Sequence, residues 1–556
     1  MTALAHPARH ATTGERPAAL RLVRDQVGYA FRELLRARIV LVFTFVLPLV
    51  WLIIIGLVAG NEAVDQATGV RVMQFATPMA VVMAAVFAAY PPVAMGLGVA
   101  REQRIVKRLR GTPLPAWAYV AGRVGAAAVL ATIAIVIMLL LGVAEYDVQV
   151  QWATVPATLV TLLLAVASLA ALGLAVGALV PSARMAQTVA VGSAVAVLFL
   201  SGMMTIGSTV PAWMNTVGWI FPVRPLLVSL QDQFNPFLSG SGWNLPALAV
   251  IVAWGLGATL AASRALGREQ TGMAAAGVRG RRAPAAALPA FAVEHRHLVA
   301  SEPGEPNGAA MMLDQVRWAN RGTMRDLGDV FFAIAMPVGL YALISSMYPH
   351  ADFFPGTPLV RFFACGMAAY GAGVTAFVNL PVAVARARDQ GVLKRLRGTP
   401  LAPWQYLAGR TASAVLVSML TAVLVFGVGL AVFGVALPPG RLPLALAIFA
   451  LGTLTLAACG FALMVRTGNA RATAVIGLSI LLPLSFFSDV FLSGGGPAWM
   501  ATVGSVFPLR HLVHALDAAI DPAGVSLAWT DVGVMAAWLA VATVVAVRFF
   551  RWEPRT

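Results

Sequence analysis

REQRIVKRLRGTPLPAWAYVAGR occupies residues 101–123, and RDQGVLKRLRGTPLAPWQYLAGR occupies 388–410, a constant offset of 287 positions. Fifteen of the 23 positions are identical, including an unbroken KRLRGTPL. Both copies are cationic islands in a chain that is 59% hydrophobic and 11% charged, with a mean hydropathy of +0.82. An ordinary soluble domain carries roughly a quarter charged residues. The islands are flanked by apolar runs of about 20 residues, the length of a membrane-crossing helix, rather than the ~10-residue alternation of a membrane barrel. The stretch therefore reads as a loop between two spans, present twice in an all-α integral membrane protein.

Working outward, the apolar runs fall at 39–59, 73–99, 118–143, 153–180, 188–206 and 245–265, then at 327–347, 359–385, 405–437, 442–465, 473–491 and 527–549. That predicts 12 transmembrane helices as two six-helix repeats. The repeat extends beyond the loop: PAWMNTVGWIFPVRPLLVSL from Pro211 matches PAWMATVGSVFPLRHLVHAL from Pro497 at 12 of 20 positions. Asp25-Gln26-Val27 also matches Asp314-Gln315-Val316, and Pro48 matches Pro337. Equal span numbers and equal orientation predict parallel, pseudo-symmetric repeats about an axis along the membrane normal. The expected domains are an N-terminal arm and amphipathic helix at 1–38, a first repeat at 39–266 and a flexible linker at 267–310. A second amphipathic helix at 311–326, a second repeat at 327–550 and a tail at 551–556 follow.

The formal net charge of +16 does not point to nucleic acid, because the basic residues lie in short segments between apolar runs. The N-terminal arm, both KRLRGTPL loops, Arg184, Arg264 to Arg282, Arg466 with Arg471, and Arg548 to Arg555 share one predicted side. By the positive-inside rule that side is cytoplasmic, with both termini inside; Arg71, Arg361 and Arg441 are exceptions. The N-terminus lacks a signal-peptide pattern, so the first run is expected to be a retained span. Cys365 and Cys459 lie in apolar segments and read as small hydrophobes.

Within the loop, Ile105, Val106 and Leu109 share a helical face flanked by Lys107, Arg108 and Arg110, and Gly111 offers a C-terminal cap. Thr112-Pro113 ends this helix, Pro115 suits the start of the next, and Trp117 and Tyr119 suit an interfacial belt. Basic loops ending in aromatics are ordinary at a cytoplasmic membrane face. Near-verbatim retention of KRLRGTPL between diverged halves points instead to a docking role. A P-loop requires Lys followed by Ser or Thr, whereas Lys107 and Lys394 each precede Arg, so the chain carries no such ATP site.

An acidic residue followed by KRLRGTPL, a Trp and Tyr-x-Ala-Gly-Arg resembles the loop between the second and third spans of type-2 ABC exporter permeases, in the tandem-fused form of actinobacterial antibiotic and multidrug exporters. The resemblance covers both halves. It implies that 102–112 and 389–399 are coupling segments seated on an ATP-hydrolysing partner, and that 20–38 and 311–325 are connecting helices. The implied coupling residues are Glu102, Ile105, Lys107, Arg108, Leu109, Arg110, Thr112 and Pro113, and in the second copy Asp389, Gly391, Lys394, Arg395, Leu396, Arg397, Thr399 and Pro400. One departure is Arg104, where the family pattern and the second copy have Gly (Gly391). The resemblance further implies two ATPase copies per chain, ATP and Mg held by that partner, and a bacterial cytoplasmic membrane location. No cofactor is expected on this chain.

The segments from Pro211 and Pro497 are too short and broken to span; by resemblance they form an outer gate bearing Trp213, Pro222, Arg224, Trp499, Pro508 and Arg510. The same resemblance has the second and fifth spans face each other along a substrate path, with Met83, Phe87, Met203, Met204, Phe377, Phe486 and Phe487 as adaptable apolar lining. His511, His514 and Asp517 have i, i+3, i+6 spacing but lack repeat support, so no metal site is expected. Asp489, an acid near the end of an apolar run, is a further functional candidate. The expected cargo is an amphipathic small molecule, an antibiotic or drug; a lipid or glycolipid is the alternative. An ion-gradient-driven transporter is a third reading, short of the membrane-embedded charges it requires.

Overall fold

The structure is a computed structural model that describes residues 19–65, 69–105, 108, 114–203, 211–238, 240–282, 308–348, 352–354, 357–396, 398–399, 401–491, 498–522 and 528–550. In the first half, α1 (Ala19–Arg36) leads into α2 (38–59), and a short hairpin, β1 (Ala63–Asp65) with β2 (Val70–Arg71), leads to α3 (Met73–Glu102). There follow α4 (Ala116–Tyr146), α5 (Trp152–Leu179), α6 (Ala183–Leu200), the short α7 (Ala212–Gly218) and α8 (Val223–Phe234), and α9 (Leu245–Arg282). The second half gives α10 (Gly308–Arg325), α11 (Leu327–Met347), the hairpin β3 (Asp352–Phe354) with β4 (Thr357–Pro358), and α12 (Leu359–Asp389). It ends with α13 (Val392–Leu396), α14 (Pro403–Phe433), α15 (Leu442–Met464), α16 (Ala470–Phe487), α17 (Ala498–Gly504), α18 (Pro508–Ile520) and α19 (Trp529–Phe549).

Among the described residues, 11 helices are long and apolar enough to cross a membrane, which makes this a multi-pass membrane protein. The remaining expected span, α2, has a shorter apolar stretch, Val42–Leu57. Burial separates centre from rim: 89% of the apolar window of α3 and 83% of that of α12 is buried, against 22% for α9 and 11% for α19. The second spans are thus the axis of each half, while the sixth spans present residues such as Leu256, Leu260, Val541 and Val544 outward. The backbone stays helical to Arg282, into the stretch expected to be linker from residue 267; Ala, Arg, Gln and Met in this stretch are good helix formers. Residues 1–18 of the arm, 283–307 of the linker and the tail at 551–556 lie outside the described residues.

The matched prolines have a structural counterpart. Pro48 and Pro337 each follow a π-helical turn, Val42–Val46 and Phe331–Ala335. A proline removes one N–H from the helical ladder and displaces the preceding turn, which the wider π register accommodates. The Ala-Gly-Arg that closes each repeated stretch is a notch for the amphipathic helix. A Cβ on Gly122 would overlap Gln26, and one on Gly409 would overlap Gln315, so Asp-Gln-Val of α1 and α10 docks on Ala-Gly-Arg of α4 and α14. The arginine then holds the contact: Arg123 pairs with Glu33 at 3.1 Å, while Arg410 lies over the rings of Trp318 and Tyr406.

The 287-residue offset reaches backbone conformation. Arg104 (φ 56°) matches Gly391 (φ 68°), Asp147 (φ 55°) matches Gly434 (φ 67°), and Asp489 (φ 57°) matches Gly202 (φ 82°). Each pair places glycine in one half and a side chain in the other at a left-handed turn. That conformation costs a non-glycine residue roughly 1–2 kcal/mol. Allowing for the extra unfolded-state freedom of glycine, Arg104→Gly should stabilise the protein by roughly 0.5–1 kcal/mol and Gly391→Arg should destabilise it by a similar amount. Thermal unfolding of the two detergent-purified variants against the unmodified chain checks both signs.

Candidate functional site

A cavity of about 290 Å³ lies between the halves. The first half contributes Phe43, Leu47 and Trp51 of α2, Met83 and Phe87 of α3, Val191, Val195, Leu198 and Phe199 of α6, and Met203. The second half contributes Phe332, Met336 and Leu340 of α11, Tyr370, Val374 and Val378 of α12, Leu478, Leu482 and Phe486 of α16, and Phe491. Four of the residues named for the path, Met83, Phe87, Met203 and Phe486, are therefore at the wall. Phe377 is buried but not in the lining, and its backbone packs against Gly460 of α15. Phe487 turns away to Trp499, with ring centroids 6.0 Å apart, and Met204 lies outside the described residues. The contribution of the first spans was not anticipated; the paired prolines that set their π turns were the available signal.

The cavity wall becomes polar towards the end that carries the KRLRGTPL loops, where Arg184, Gln187, Thr188, Asp326, Asp329, Asn379 and Arg386 line it. Asp326 caps α11, accepting from the amides of Gly328 at 3.0 Å and Asp329 at 3.4 Å, and its other oxygen pairs with Arg184 of α6. This ion pair joins one half to the other. Its repeat counterpart does not exist: Asp326 aligns with Ala37, and Arg471, the match of Arg184, has no ion pair among the described residues. The opposite seam, between α2 and α16, is lined by Val42, Val46, Leu47, Val50, Ser479, Leu482, Pro483 and Phe486. One seam is ionic and the other almost wholly apolar.

At the loops, the acidic residue of each motif is engaged within the chain. Glu102 Oε1 accepts from the amide of Ala183 at 2.8 Å, and Asp389 Oδ2 accepts from that of Ala470 at 2.8 Å. The preceding arginines reach neighbouring carbonyls: Arg101 donates to Gly177 and Val180 at 2.7 and 2.8 Å, and Arg388 to Thr467 and Gly468 at 3.4 and 3.3 Å. Ile105 is half-buried, and Arg108 is exposed and donates to the Gln103 carbonyl. In the second copy Leu393 is fully buried and Leu396 half-buried against the core, while Lys394, Arg395 and Thr399 are exposed. The apolar face of α13 thus points into the membrane domain and the basic face away from it. Lys107, Leu109, Arg110, Thr112, Pro113, Arg397 and Pro400 lie outside the described residues.

At the far end, α7–α8 and α17–α18 fold back on the fifth spans. Trp254 and Trp538 of the sixth spans donate to the carbonyls of Ile220 and Val506, and stack on Phe221 and Phe507. Trp213 and Trp499 are exposed, Pro222 is the N-cap of α8, and Pro508 opens α18. Arg224 donates to the Ser201 carbonyl at 2.6 Å and to Asn215; Arg510 pairs with Asp489 at 3.0 Å. Asp489, placed by its left-handed turn, also accepts from His514 at 2.9 Å, so this acid sits in a network at the helix end, outside the cavity lining. The histidine row does not converge. His511 goes to Asp531, His514 to Asp489, and Asp517 to Arg361 at 2.9 Å.

Comparison with known proteins follows this duplication. Residues 27–234 match the family described as ABC-2 type transporter, and residues 334–548 match the ABC-2 family transporter protein. The chain belongs to the ABC-2 transporter family. It is a double-length ABC-2 permease, with two family domains in tandem, and members of this family are the membrane components of ABC transporters that work with an ATPase partner. It is similar to the probable multidrug ABC transporter permease YbhR of Escherichia coli K12 and of E. coli O157:H7, 26% identical to each over 149 residues. That match takes in 25% of this chain and spans 40% of the relatives' length.

The three arginines that broke the charge pattern are each engaged in this ABC-2 permease, two of them by carboxylates. Arg71 pairs with Asp147 at 2.7 Å, Arg361 with Asp517 and Asp521 at 2.9 and 3.0 Å, and Arg441 donates to the Asp521 carbonyl. His511 is poised by two acceptors, Asp531 at 2.5 Å from Nδ1 and the Ser505 carbonyl at 2.7 Å from Nε2, a pair that only an imidazolium satisfies with both ring nitrogens donating. Its hydrogen bond to Asp531 raises its pKa, the Ser505 carbonyl adds to this, and burial opposes it. A pKa raised on folding stabilises the protein fully below the ordinary value and loses that contribution as pH rises through the raised one. Thermal stability of the unmodified protein should therefore fall more steeply from pH ~6.5 upward than that of His511→Gln, measured in the same detergent. In a double-mutant cycle, Arg184→Ala and Asp326→Asn should show a coupling of about 1 kcal/mol in thermal unfolding, because Asn keeps the cap and removes only the charge.

Proposed function

We propose that this chain is the membrane part of an ATP-driven exporter for amphipathic small molecules of the antibiotic or drug class. Its two domains form twelve spans related by an axis along the membrane normal, with the KRLRGTPL loops and both termini in the cytoplasm of a bacterial cell. One ATPase subunit docks on each loop, bringing ATP and Mg, and closure of the two subunits opens the cavity outward. The cavity is the observation that carries this reading: its wall comes from the first, second and fifth spans of both halves, aromatic and aliphatic within and charged at the loop end. Apolar walls with a few placed polar groups suit an amphipathic ligand.

The volume of about 290 Å³ lies at the small end of small-molecule sites, which favours a drug-like cargo over a lipid. The description of the E. coli relatives as multidrug permeases supports the same choice. Against ion-gradient coupling stands the engagement of Asp489 with Arg510 and His514 at a helix end. The exposed basic face of Lys394 and Arg395 suits a docking surface.

The purified chain should show no ATPase turnover above background. Reconstituted in inside-out vesicles with a partner ABC ATPase, it should accumulate ethidium only with Mg-ATP. Accumulation driven by a proton gradient without any ATPase would overturn the proposal.

A further inference from the structure

The repeated loop keeps an arginine and an acid side by side, Arg101-Glu102 and Arg388-Asp389, and both pairs grip the same object, the turn between the fourth and fifth spans. In the first half the arginine takes the Gly177 and Val180 carbonyls at the C-terminal end of the fourth span, where the helix dipole is negative; in the second it takes those of Thr467 and Gly468, in the turn that follows the fourth span. The carboxylate takes the first amide of the fifth span (Ala183; Ala470), where the dipole is positive. One dipeptide thus holds both sides of the fourth–fifth turn in both halves, with the carboxylate bond joining residues 81 apart in each. Local capping does not account for the acid. Ser182 and Asn469 already cap the fifth spans through Met185 and Ala472. What the acid adds is a link between the second span and the fifth.

We infer that Arg101-Glu102 and Arg388-Asp389 are positioning residues that fasten each coupling segment to the fifth span, so that displacement of the loop is delivered to the cavity wall. The inference rests on the docking reading above. The fifth span enters the lining at Gln187 in α6 and Ala474 in α16, four residues and about 6 Å from the fastened amides. In the first half the residue after the fastened amide is Arg184, whose partner Asp326 belongs to the other half. A pull on Glu102 therefore also bears on the ionic seam. In the second half the matching Arg471 makes no such pair among the described residues, and the pull ends at the wall.

The test uses the full chain reconstituted with its ATPase. In Glu102→Ala and Asp389→Ala, ethidium transport per ATP hydrolysed should fall at least about ten-fold at matched ATPase occupancy. Exchanging the acids between halves, Glu102→Asp and Asp389→Glu, should restore most of that ratio. Loss of ATPase binding in the Ala variants would make these acids docking contacts and overturn the inference; so would hydrolysis and transport falling in parallel, or an unchanged ratio. If the unmodified chain engages no ATPase, the docking reading fails, and amide exchange in the chain alone decides the fastening. Faster exchange over 183–187 in Glu102→Ala, and over 470–474 in Asp389→Ala, would uphold it; unchanged exchange would overturn it.

Discussion

Inside a bilayer the ends and breaks of helices have no water to satisfy their amides and carbonyls, and this architecture is governed by how those groups are paired. The long apolar helices need only length and hydrophobicity. Their order, spacing and mutual attachment depend on a small set of polar side chains placed at helix ends. Arg101 and Glu102 hold one fourth–fifth turn, Arg388 and Asp389 the other, and Trp254 and Trp538 hold the short helices at the far end through one carbonyl each. Each of these bonds spans many residues of sequence. They hold the buried second spans at the centre of each half and the fifth spans against the cavity.

Repetition made much of this legible. KRLRGTPL marked the loops, and Ala-Gly-Arg and Asp-Gln-Val were both visible as matched words before it was known that they touch. The Pro48–Pro337 pair coincides with two of the π turns, Val42–Val46 and Phe331–Ala335. Matches of this kind work because steric demands, such as a missing Cβ or a missing N–H, leave their mark on residue identity. The partners of Glu102 and Asp389 were not legible for the converse reason. A backbone amide carries no residue signature, so Ala183 and Ala470 look like any other small residue. The apolar lining was also read only in part, since Met and Phe facing a cavity, a neighbouring helix or lipid are chemically alike. Phe377 and Phe487 show the consequence.

Some of the differences between the halves are electrostatic. At the N-terminal end of the second span, Gln74 in the first half bonds the Phe234 and Gln149 carbonyls, while Arg361, its match in the second, pairs with Asp517 and Asp521. A neutral network in one half is an ionic one in the other. The same holds at Gly202 and Asp489, where a bare turn becomes a carboxylate bound by Arg510 and His514. Duplication preserved the steric frame, and the charged groups then diverged within it.

The divergence has a mechanical meaning at the interface between the halves. Two identical repeats would meet in two identical seams, each opening with equal ease. Here Asp326 and Arg184 bridge one seam beneath the charged rim of the cavity, and the other is held by Val42, Val46, Val50, Leu482 and Pro483. Apolar contacts between helices lose little when lipid tails replace them, since a tail is as apolar as the side chain it displaces. An ion pair separated next to lipid has no such substitute and must be rehydrated or re-paired. The two seams therefore differ in what parting them requires: one exchanges apolar contacts, the other an ion pair.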